Sequence, residues 1–152
     1  MQNISDIIEA YIKQMLQQNS TAELRRNELA EKFQCVPSQI NYVLKTRFSL
    51  ERGYVVESKR GGGGYIRIIK VRPETNKELI DEMIQLADSR ITQANAQSLI
   101  VRLLEESIIS KREARLMISA IDRSVINLSI PVRDQVRANI LKSMLQALKY
   151  KM

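Results

Sequence analysis

The sequence predicts a mostly helical α+β protein built from two successive parts. In the first part, three segments repeat apolar residues at helical spacing, and two β-rich segments joined by four consecutive glycines follow them. In the second part, beyond Pro73, glycine is absent and four further helical patterns follow one another. We therefore expect three helices and a β-hairpin, and then a four-helix domain.

The first three helices are arranged around a tight turn. The first helix begins near Asn3 or Ser5, either of which can cap it, and ends near Asn19-Ser20. A short second helix is expected over residues 27–33, followed by a turn at residues 34–36. Pro37 suits the first turn of a third helix that extends to residue 48, because the missing N–H of proline is not needed there. A short helix, a turn and a second helix predict a helix-turn-helix.

The chain changes from a helical to an extended period after Gly53. Residues 54–58 and 65–71 are β-rich and flank the run Lys59-Arg60-Gly61-Gly62-Gly63-Gly64. Two such segments joined by a glycine-containing loop predict a hairpin. Three helices followed by a hairpin is the order of a winged helix-turn-helix, which we assign to residues 1–72 as a DNA-binding domain.

Residues 75–152 are predicted to form a helical dimerisation domain after a hinge at residues 72–74. Its helices are expected at residues 76–89, 93–106, 111–124 and 132–150, and the first and third begin with capping-box patterns at Thr75 and Ser110. Four short helices make a modest core, and several apolar stripes are wide enough to serve two surfaces. We expect a bundle completed between two subunits, with a self-contained monomeric bundle as the alternative.

The composition indicates a globular, basic protein. The 152 residues are 44% hydrophobic and 27% charged, which argues against both disorder and a membrane span. The net charge is +7, and residues 45–72 hold eight basic residues against two acidic ones. Such a density favours a polyanionic partner, although a solvated basic face is the alternative. The N-terminus lacks the features of a signal peptide, so we expect a cytoplasmic protein with no membrane partner.

No set of residues suggests an enzyme. With Cys35 as the single cysteine and no histidine, the chain offers neither an internal disulfide nor a Cys/His metal site, so we expect no metal and no cofactor. The glycine run leads into a β-rich segment rather than into the Gly-Lys-Ser/Thr and helix of a nucleotide-binding loop. No catalytic acid, base or nucleophile set is apparent either. A nucleotide-using enzyme is therefore the weakest hypothesis.

The third helix has a polar face opposite its apolar stripe. Asparagine and glutamine amides can bond adenine, lysine and arginine suit guanine or phosphate, and hydroxyls reach phosphate oxygens. Its position after a short helix and a tight turn favours a DNA-reading role over that of an ordinary solvated helix. The candidate DNA-binding residues of this helix are Ser38, Gln39, Asn41, Tyr42, Lys45 and Arg47.

The loop of the hairpin is the more specific signal. Four glycines leave its tip without side chains, so that its backbone can approach the floor of a groove closely. A basic side chain beside such a tip suits the negative potential of a narrow minor groove, whereas a hairpin without contacts is the alternative. The candidate DNA-binding residues of this wing are Lys59, Arg60, Gly61, Gly62, Gly63, Gly64 and Arg67.

Four segments together resemble one known family. The sequence contains NISDIIEAYIKQ, FQCVPSQINYVLKTRF, ERGYVVESKRGGGGYIRIIKV and ISKREARLMISAIDRS. On these segments the chain resembles the CtsR family, the class-three stress-gene repressors of low-GC Gram-positive bacteria. The likeness extends over essentially the whole chain, and SKRGGGGYIRI is its most specific motif.

The resemblance implies a homodimer that represses chaperone and Clp protease genes until heat or protein damage releases it. It implies a directly repeated heptanucleotide operator of double-stranded DNA. The recognition helix would enter the major groove through Ser38, Gln39, Asn41, Tyr42 and Lys45, and the wing would enter the minor groove through Arg60 and Gly61 to Gly64. The implied protein partners are a protein-arginine kinase with its activator, and Clp ATPases. The competing hypothesis is a winged-helix adaptor that binds protein without DNA specificity.

Overall fold

The computed structural model describes residues 3–59, 65–71 and 73–149, and the chain divides into two compact units, residues 1–71 and 72–152. The described residues confirm the predicted mostly helical α+β fold. The N-terminal unit contains α1 (Ile4–Gln18), β1 (Thr21–Arg25), α2 (Arg26–Lys32), α3 (Pro37–Arg47), β2 (Tyr54–Lys59) and β3 (Tyr65–Lys70). The C-terminal unit contains α4 (Asn76–Ala87), α5 (Gln93–Glu105), α6 (Lys111–Ile121) and α7 (Val132–Lys149).

Helix α1 is the support against which α3 packs. Asn3 is its cap: the side-chain oxygen of Asn3 accepts a hydrogen bond from the Asp6 N–H at 2.9 Å, and the Asp6 carboxylate accepts one from the Asn3 N–H. The apolar stripe of α1 buries Ile8 and Ile12 completely. These residues join the core cluster of the N-terminal unit, which also contains the buried face of α3.

The turn between α2 and α3 is a Schellman motif. The Cys35 N–H donates to the Ala30 carbonyl at 2.9 Å, and the Gln34 N–H donates to the Glu31 carbonyl at 3.2 Å. Gln34 occupies the left-handed position with a φ of 51°, where glycine or asparagine is usual. The motif ends α2 sharply, and Pro37 begins α3 within three residues of it. This geometry is the predicted helix-turn-helix.

A three-stranded antiparallel sheet closes the N-terminal unit. Its strand order is β1-β3-β2, so β3 is central and pairs with both neighbours. The sequence pattern does not identify β1, because only Ala22 and Leu24 alternate inward in this five-residue edge strand. Ile66 and Ile68 of β3 are fully buried against the helices. The sheet therefore fixes the hairpin to the helix-turn-helix.

The C-terminal unit contains the four predicted helices. Hydroxyls of Thr75, Thr92 and Ser110 each accept a hydrogen bond from the backbone N–H three residues later, and at Ser110 the capping box with Glu113 is complete. Helix α6 ends at Ile121 rather than at residue 124, because the Asp122 carboxylate accepts the Ser124 N–H in a local turn. The fully buried core residues include Leu79, Met83, Leu99, Leu103, Leu141 and Leu145.

A buried arginine ties three segments of this unit together. Arg137 of α7 is 1% exposed, and its guanidinium donates to the Ile121 carbonyl at 2.8 Å and to the Ile91 carbonyl at 3.1 Å. It also donates to the Asp134 carboxylate at 2.6 Å. Arg137 thus connects the end of α6 and the α4–α5 connection to α7.

The described residues contain neither a membrane-spanning helix nor a cluster of metal ligands. None of their helices combines the length and apolar character required to cross a bilayer. Their cysteine, aspartate and glutamate side chains form no group of three or more suited to a metal ion.

Candidate nucleic-acid interface

Helix α3 presents a continuous polar stripe to solvent. Ser38, Asn41, Tyr42 and Lys45 are all exposed and lie at positions i, i+3, i+4 and i+7, which share one face of a helix. Tyr42 is 55% exposed. Ile40, Val43, Leu44 and Phe48, which form the apolar stripe of this segment, are buried on the other side. The α3 stripe, defined as Ser38, Asn41, Tyr42 and Lys45, is therefore held on a rigid support and is free to contact a ligand.

Gln39 lies beside this stripe and is attached to α1. Its side-chain Nε2 donates to the Ser5 Oγ at 2.8 Å, and Ser5 is 5% exposed. The carbonyl oxygen of the Gln39 amide is not used in that contact, so Gln39 keeps an acceptor to offer. Its amide is held by α1 as well as by α3.

Arg47 is engaged in an ion-pair network with α1. Its Nη1 donates to the Asp6 carboxylate at 2.9 Å and to the Glu9 carboxylate, while Lys13 bonds Glu9 at 2.8 Å. The hydrogen bond from Arg47 lowers the pKa of Asp6. For Glu9, burial opposes ionisation, but the hydrogen bonds from Lys13 and Arg47 outweigh it and lower the pKa. The guanidinium of Arg47 thus already has two anionic neighbours in the free protein.

Replacing Arg47 with methionine is expected to destabilise the N-terminal unit at neutral pH, with less effect in acid. The pKa values of Asp6 and Glu9 lie below their ordinary values of 3.8 and 4.5, so the stability they contribute is complete above those values. That stability is lost as the pH falls through the lowered pKa values. Amide hydrogen exchange in α1 and α3 at neutral pH and at a pH below the lowered pKa values of both carboxyls measures the difference.

Arg25→Met is the matched control, because it removes the same charge from an exposed position. We expect it to change exchange little at either pH. A difference between the parent and Arg47→Met that does not shrink in acid would show that the network contributes through packing rather than through charge.

Arg26, which is not among the DNA-binding residues predicted from the sequence, joins the α3 stripe to the sheet. Its Nε donates to the Asn41 Oδ1 at 2.7 Å, and its Nη2 donates to the Ser58 Oγ of β2 at 2.8 Å. The sequence indicates this role only weakly, because Arg26 is one of two adjacent arginines between the first and second predicted helices and nothing in the pattern distinguishes them. Its contacts are made across 15 and 32 residues of chain.

A groove of about 460 Å³ separates α3 from β2. Arg26, Asn41 and Lys45 line it together with apolar residues of α3, of β2 and of the segment between them. The apolar lining residues are Leu44, Phe48, Leu50, Tyr54, Val55 and Val56. The Asn41 amide and the Lys45 ammonium of α3 therefore lie in the same groove as residues of β2.

The wing residues are described only at the base of the hairpin. Arg67 lies opposite Glu23 and Glu57 across the three strands, and its guanidinium is 3.0 Å from the Glu23 carboxylate and 3.9 Å from that of Glu57. Arg67 therefore already has two anionic neighbours in the free protein. Arg60 and Gly61 to Gly64 lie outside the described residues, as does the side chain of Lys59. The predicted roles of all the wing residues stay predictions.

Comparisons with known proteins agree with the resemblance found in the sequence. Residues 3–72 match the family model described as CtsR N-terminal HTH domain, and residues 75–146 match the one described as CtsR C-terminal dimerization domain. The transcriptional regulator CtsR of Geobacillus stearothermophilus is 58% identical over 153 residues, which cover 99% of this chain and 100% of the relative. The transcriptional regulator CtsR of Bacillus subtilis strain 168 is 54% identical over 98% of both chains.

One solved structure is similar over nearly the whole chain. The crystal structure of CtsR in complex with a 26bp DNA duplex aligns with a TM-score of 0.89 at 58% identity, covering 98% of this chain and 100% of that one. The two named relatives are transcriptional regulators, which are a non-enzymatic class of protein. Two family models that together match most of the chain, and relatives more than half identical over nearly all of it, show that this chain belongs to the CtsR family.

Proposed function

We propose that the chain is a dimeric, sequence-specific DNA-binding repressor of stress-response genes. The observation that carries the proposal is the α3 stripe: four exposed polar side chains on the second helix of a helix-turn-helix. The family supports it, since a solved member is described as a complex with a DNA duplex. Residues 1–72 would bind the DNA and residues 75–152 would pair the subunits.

The α3 stripe offers the chemistry that the major groove needs. The Asn41 amide supplies donors for base edges, and the Lys45 ammonium suits guanine or phosphate. The hydroxyls of Ser38 and Tyr42 reach phosphate oxygens, which fix the register of the helix on the duplex. Gln39 and Arg47 stay in the proposed site at its edge, next to α1.

We propose that the wing enters the minor groove beside this helix. Arg60 would supply the cation that a narrow minor groove attracts, and Gly61 to Gly64 would let the backbone approach closely. Lys59 and Arg67 would contact phosphates at the base of the hairpin, where Arg67 lies between Glu23 and Glu57. The sequence motif and the family support this placement.

The pairing surface that we propose lies between residues 116 and 132 of the C-terminal unit. Five large apolar side chains are exposed there: Leu116 at 64%, Val125 at 64%, Leu128 at 47%, Ile130 at 63% and Val132 at 47%. Leu116 belongs with Met117, Ile118 and Ile121 to the apolar stripe of α6, yet its own side chain is exposed rather than part of the core of its unit. Apolar exposure on this scale is usual at a protein interface, and a second copy of the same unit is the partner that the family supports.

The finer regulatory roles rest on the family alone. We propose that the repressor acts in the cytoplasm, binds a directly repeated operator and is released by heat or protein damage. A protein-arginine kinase with its activator, and Clp ATPases, are the proposed protein partners.

Salt dependence of binding to duplex DNA tests the function. Replacing Lys45 with methionine is expected to reduce the slope of log affinity against log salt by about 1, because one phosphate is no longer neutralised and its counterion is no longer released on binding. Lys111→Met is the control, since Lys111 is exposed on α6 in the C-terminal unit and carries the same charge. Filter-binding or fluorescence titrations over a salt series measure both slopes.

A winged-helix adaptor without DNA specificity is the alternative function. It predicts weak duplex binding and equal slopes for the two lysine variants, because neither charge would face a phosphate in a defined complex. Equal slopes would therefore contradict the assignment of the α3 stripe to DNA.

A further inference from the structure

We propose that Arg26 is a positioning residue that fixes how Asn41 is presented to DNA, so that Asn41 meets a base edge through its amide nitrogen. The inference rests on the proposed function of α3 and adds a specificity-determining residue to it. Arg26 acts through Asn41 and the wing strand rather than by its own contact with a base.

The backbone of Arg26 is held in place on both sides. The preceding residue, Arg25, pairs with Tyr65 in the sheet, and Arg26 itself is the first residue of α2. The side chain starts from this fixed junction and forms two hydrogen bonds in different directions, to Asn41 at 2.7 Å and to Ser58 at 2.8 Å. A planar guanidinium with both contacts made has little freedom left to rotate.

The contact with Arg26 determines the orientation of the Asn41 amide. Arg26 offers only donors, so the Asn41 atom against it must be the carbonyl oxygen, Oδ1. A flipped amide would place donor against donor. The Nδ2 group, with two N–H donors, is therefore the end that Asn41 has available for DNA. It suits an acceptor on a base edge, such as the N7 of a purine or the O6 of guanine.

The hydrogen bond between Arg26 and Ser58 connects the same guanidinium to the hairpin. Tyr54, Val56 and Ser58 alternate along β2 and share the sheet face on which Tyr54 is buried. Ser58 is the last of them before the glycine run. Its hydrogen bond with Arg26 therefore joins the first residue of α2 to the base of the wing. One guanidinium thus links the reading amide of α3 to the strand that carries the wing.

Three variants of the full-length chain test the proposal: Arg26→Lys, Arg26→Met and the control Arg25→Met. Affinity is measured on an operator found by footprinting, on operators with each base pair changed in turn, and on a random duplex. Arg26→Lys keeps the charge but loses the guanidinium fork. We expect it to lose roughly tenfold or more on the operator with little change on the random duplex. Discrimination should fall at the base pair that Asn41 contacts.

A double-mutant cycle separates positioning from other roles. If Arg26 acts through Asn41, then Asn41→Ala combined with Arg26→Lys should lose no more operator affinity than Asn41→Ala alone. We expect Arg26→Met to show the same loss of discrimination. We also expect it to lose the general affinity that Arg25→Met loses, because both variants remove a charge.

Several results would overturn the proposal. Additive losses in the cycle, or an Arg26→Lys variant with full discrimination, would show that the guanidinium does not orient Asn41. Losses of Arg26→Met that exceed those of Arg25→Met equally on operator and random DNA would make Arg26 a phosphate contact instead. A parent protein without any sequence preference would be a different failure, since it would contradict the proposed function itself.

Discussion

Replacing Arg137 with methionine is expected to lower the free energy of unfolding of the C-terminal unit by about 3–5 kcal/mol. The substitution keeps much of the side-chain volume but removes the donors for the Ile121 and Ile91 carbonyls and for the Asp134 carboxylate. Because Arg137 is 1% exposed, water cannot readily take over these contacts. Urea denaturation of the full-length protein, followed through helical circular dichroism, measures the loss.

Arg133→Met provides a matched control one turn earlier on α7. Arg133 lies 3.9 Å from the same carboxylate, but its side chain is 27% exposed, so its removal should cost less than about 1 kcal/mol. All proteins must be compared at one concentration, because dimerisation adds to the apparent stability. If Arg137→Met were no more destabilising than Arg133→Met, the three buried contacts would contribute little to the fold.

The second large effect is expected from Leu116→Asp, which should convert the dimer into a monomer and lower operator affinity by about 10²-fold or more. Leu116 is 64% exposed on α6 within the proposed pairing surface. An aspartate there would leave the folded subunit intact but would place a charge in an apolar interface. Without pairing, each DNA-binding unit would contact its half of the operator without the high effective concentration that a dimer provides.

Sedimentation velocity and operator titration of the same samples measure both consequences. Gln85→Asp adds the same charge at an exposed position of α4, outside residues 116–132, and should remain dimeric with parental affinity. A Leu116→Asp protein that stays dimeric would place the pairing surface elsewhere. A monomer that binds the operator as tightly as the parent would show that dimerisation does not contribute to DNA affinity.

Most of the fold could be predicted from the sequence, because its helices are strongly periodic and its hairpin is marked by glycine. Strand β1 could not, since two inward residues in five are too short a pattern to distinguish a strand from a loop. The turn before α3 is also hard to predict, because Gln34 occupies a left-handed position at which glycine is usual. Strand β1 is defined by its pairing with β3, a distant part of the chain, whereas the turn is closed by local backbone hydrogen bonds around a residue type that rarely adopts a positive φ.

The candidate site was predicted as a set of residue types, and its internal organisation needed the structure. Helical spacing is enough to place Ser38, Asn41, Tyr42 and Lys45 on one face. It cannot show that Arg47 is paired with acidic residues of α1, because those partners lie about forty positions earlier, at separations of 41 and 38 residues. Long-range hydrogen bonds of this kind leave no period in the sequence.

The C-terminal unit shows the same limit for buried charge. A charged residue in a helical pattern is normally assigned to the solvent side, so Arg137 does not enter any predicted apolar stripe. Its burial depends on one carbonyl group at the end of α6 and another in the α4–α5 connection, which the pattern does not reveal. The exposure of Leu116, in contrast, agrees with the expectation that some stripes serve two surfaces.

Footprinting of the full-length protein on genomic DNA fragments tests the central claim most directly. We expect sequence-selective protection of two directly repeated elements on one face of the duplex, with substitution of Asn41 by alanine weakening protection by roughly tenfold or more. Protection without sequence preference, or no protection at salt concentrations where the parent is folded and dimeric, would contradict the proposal that α3 and the wing read an operator.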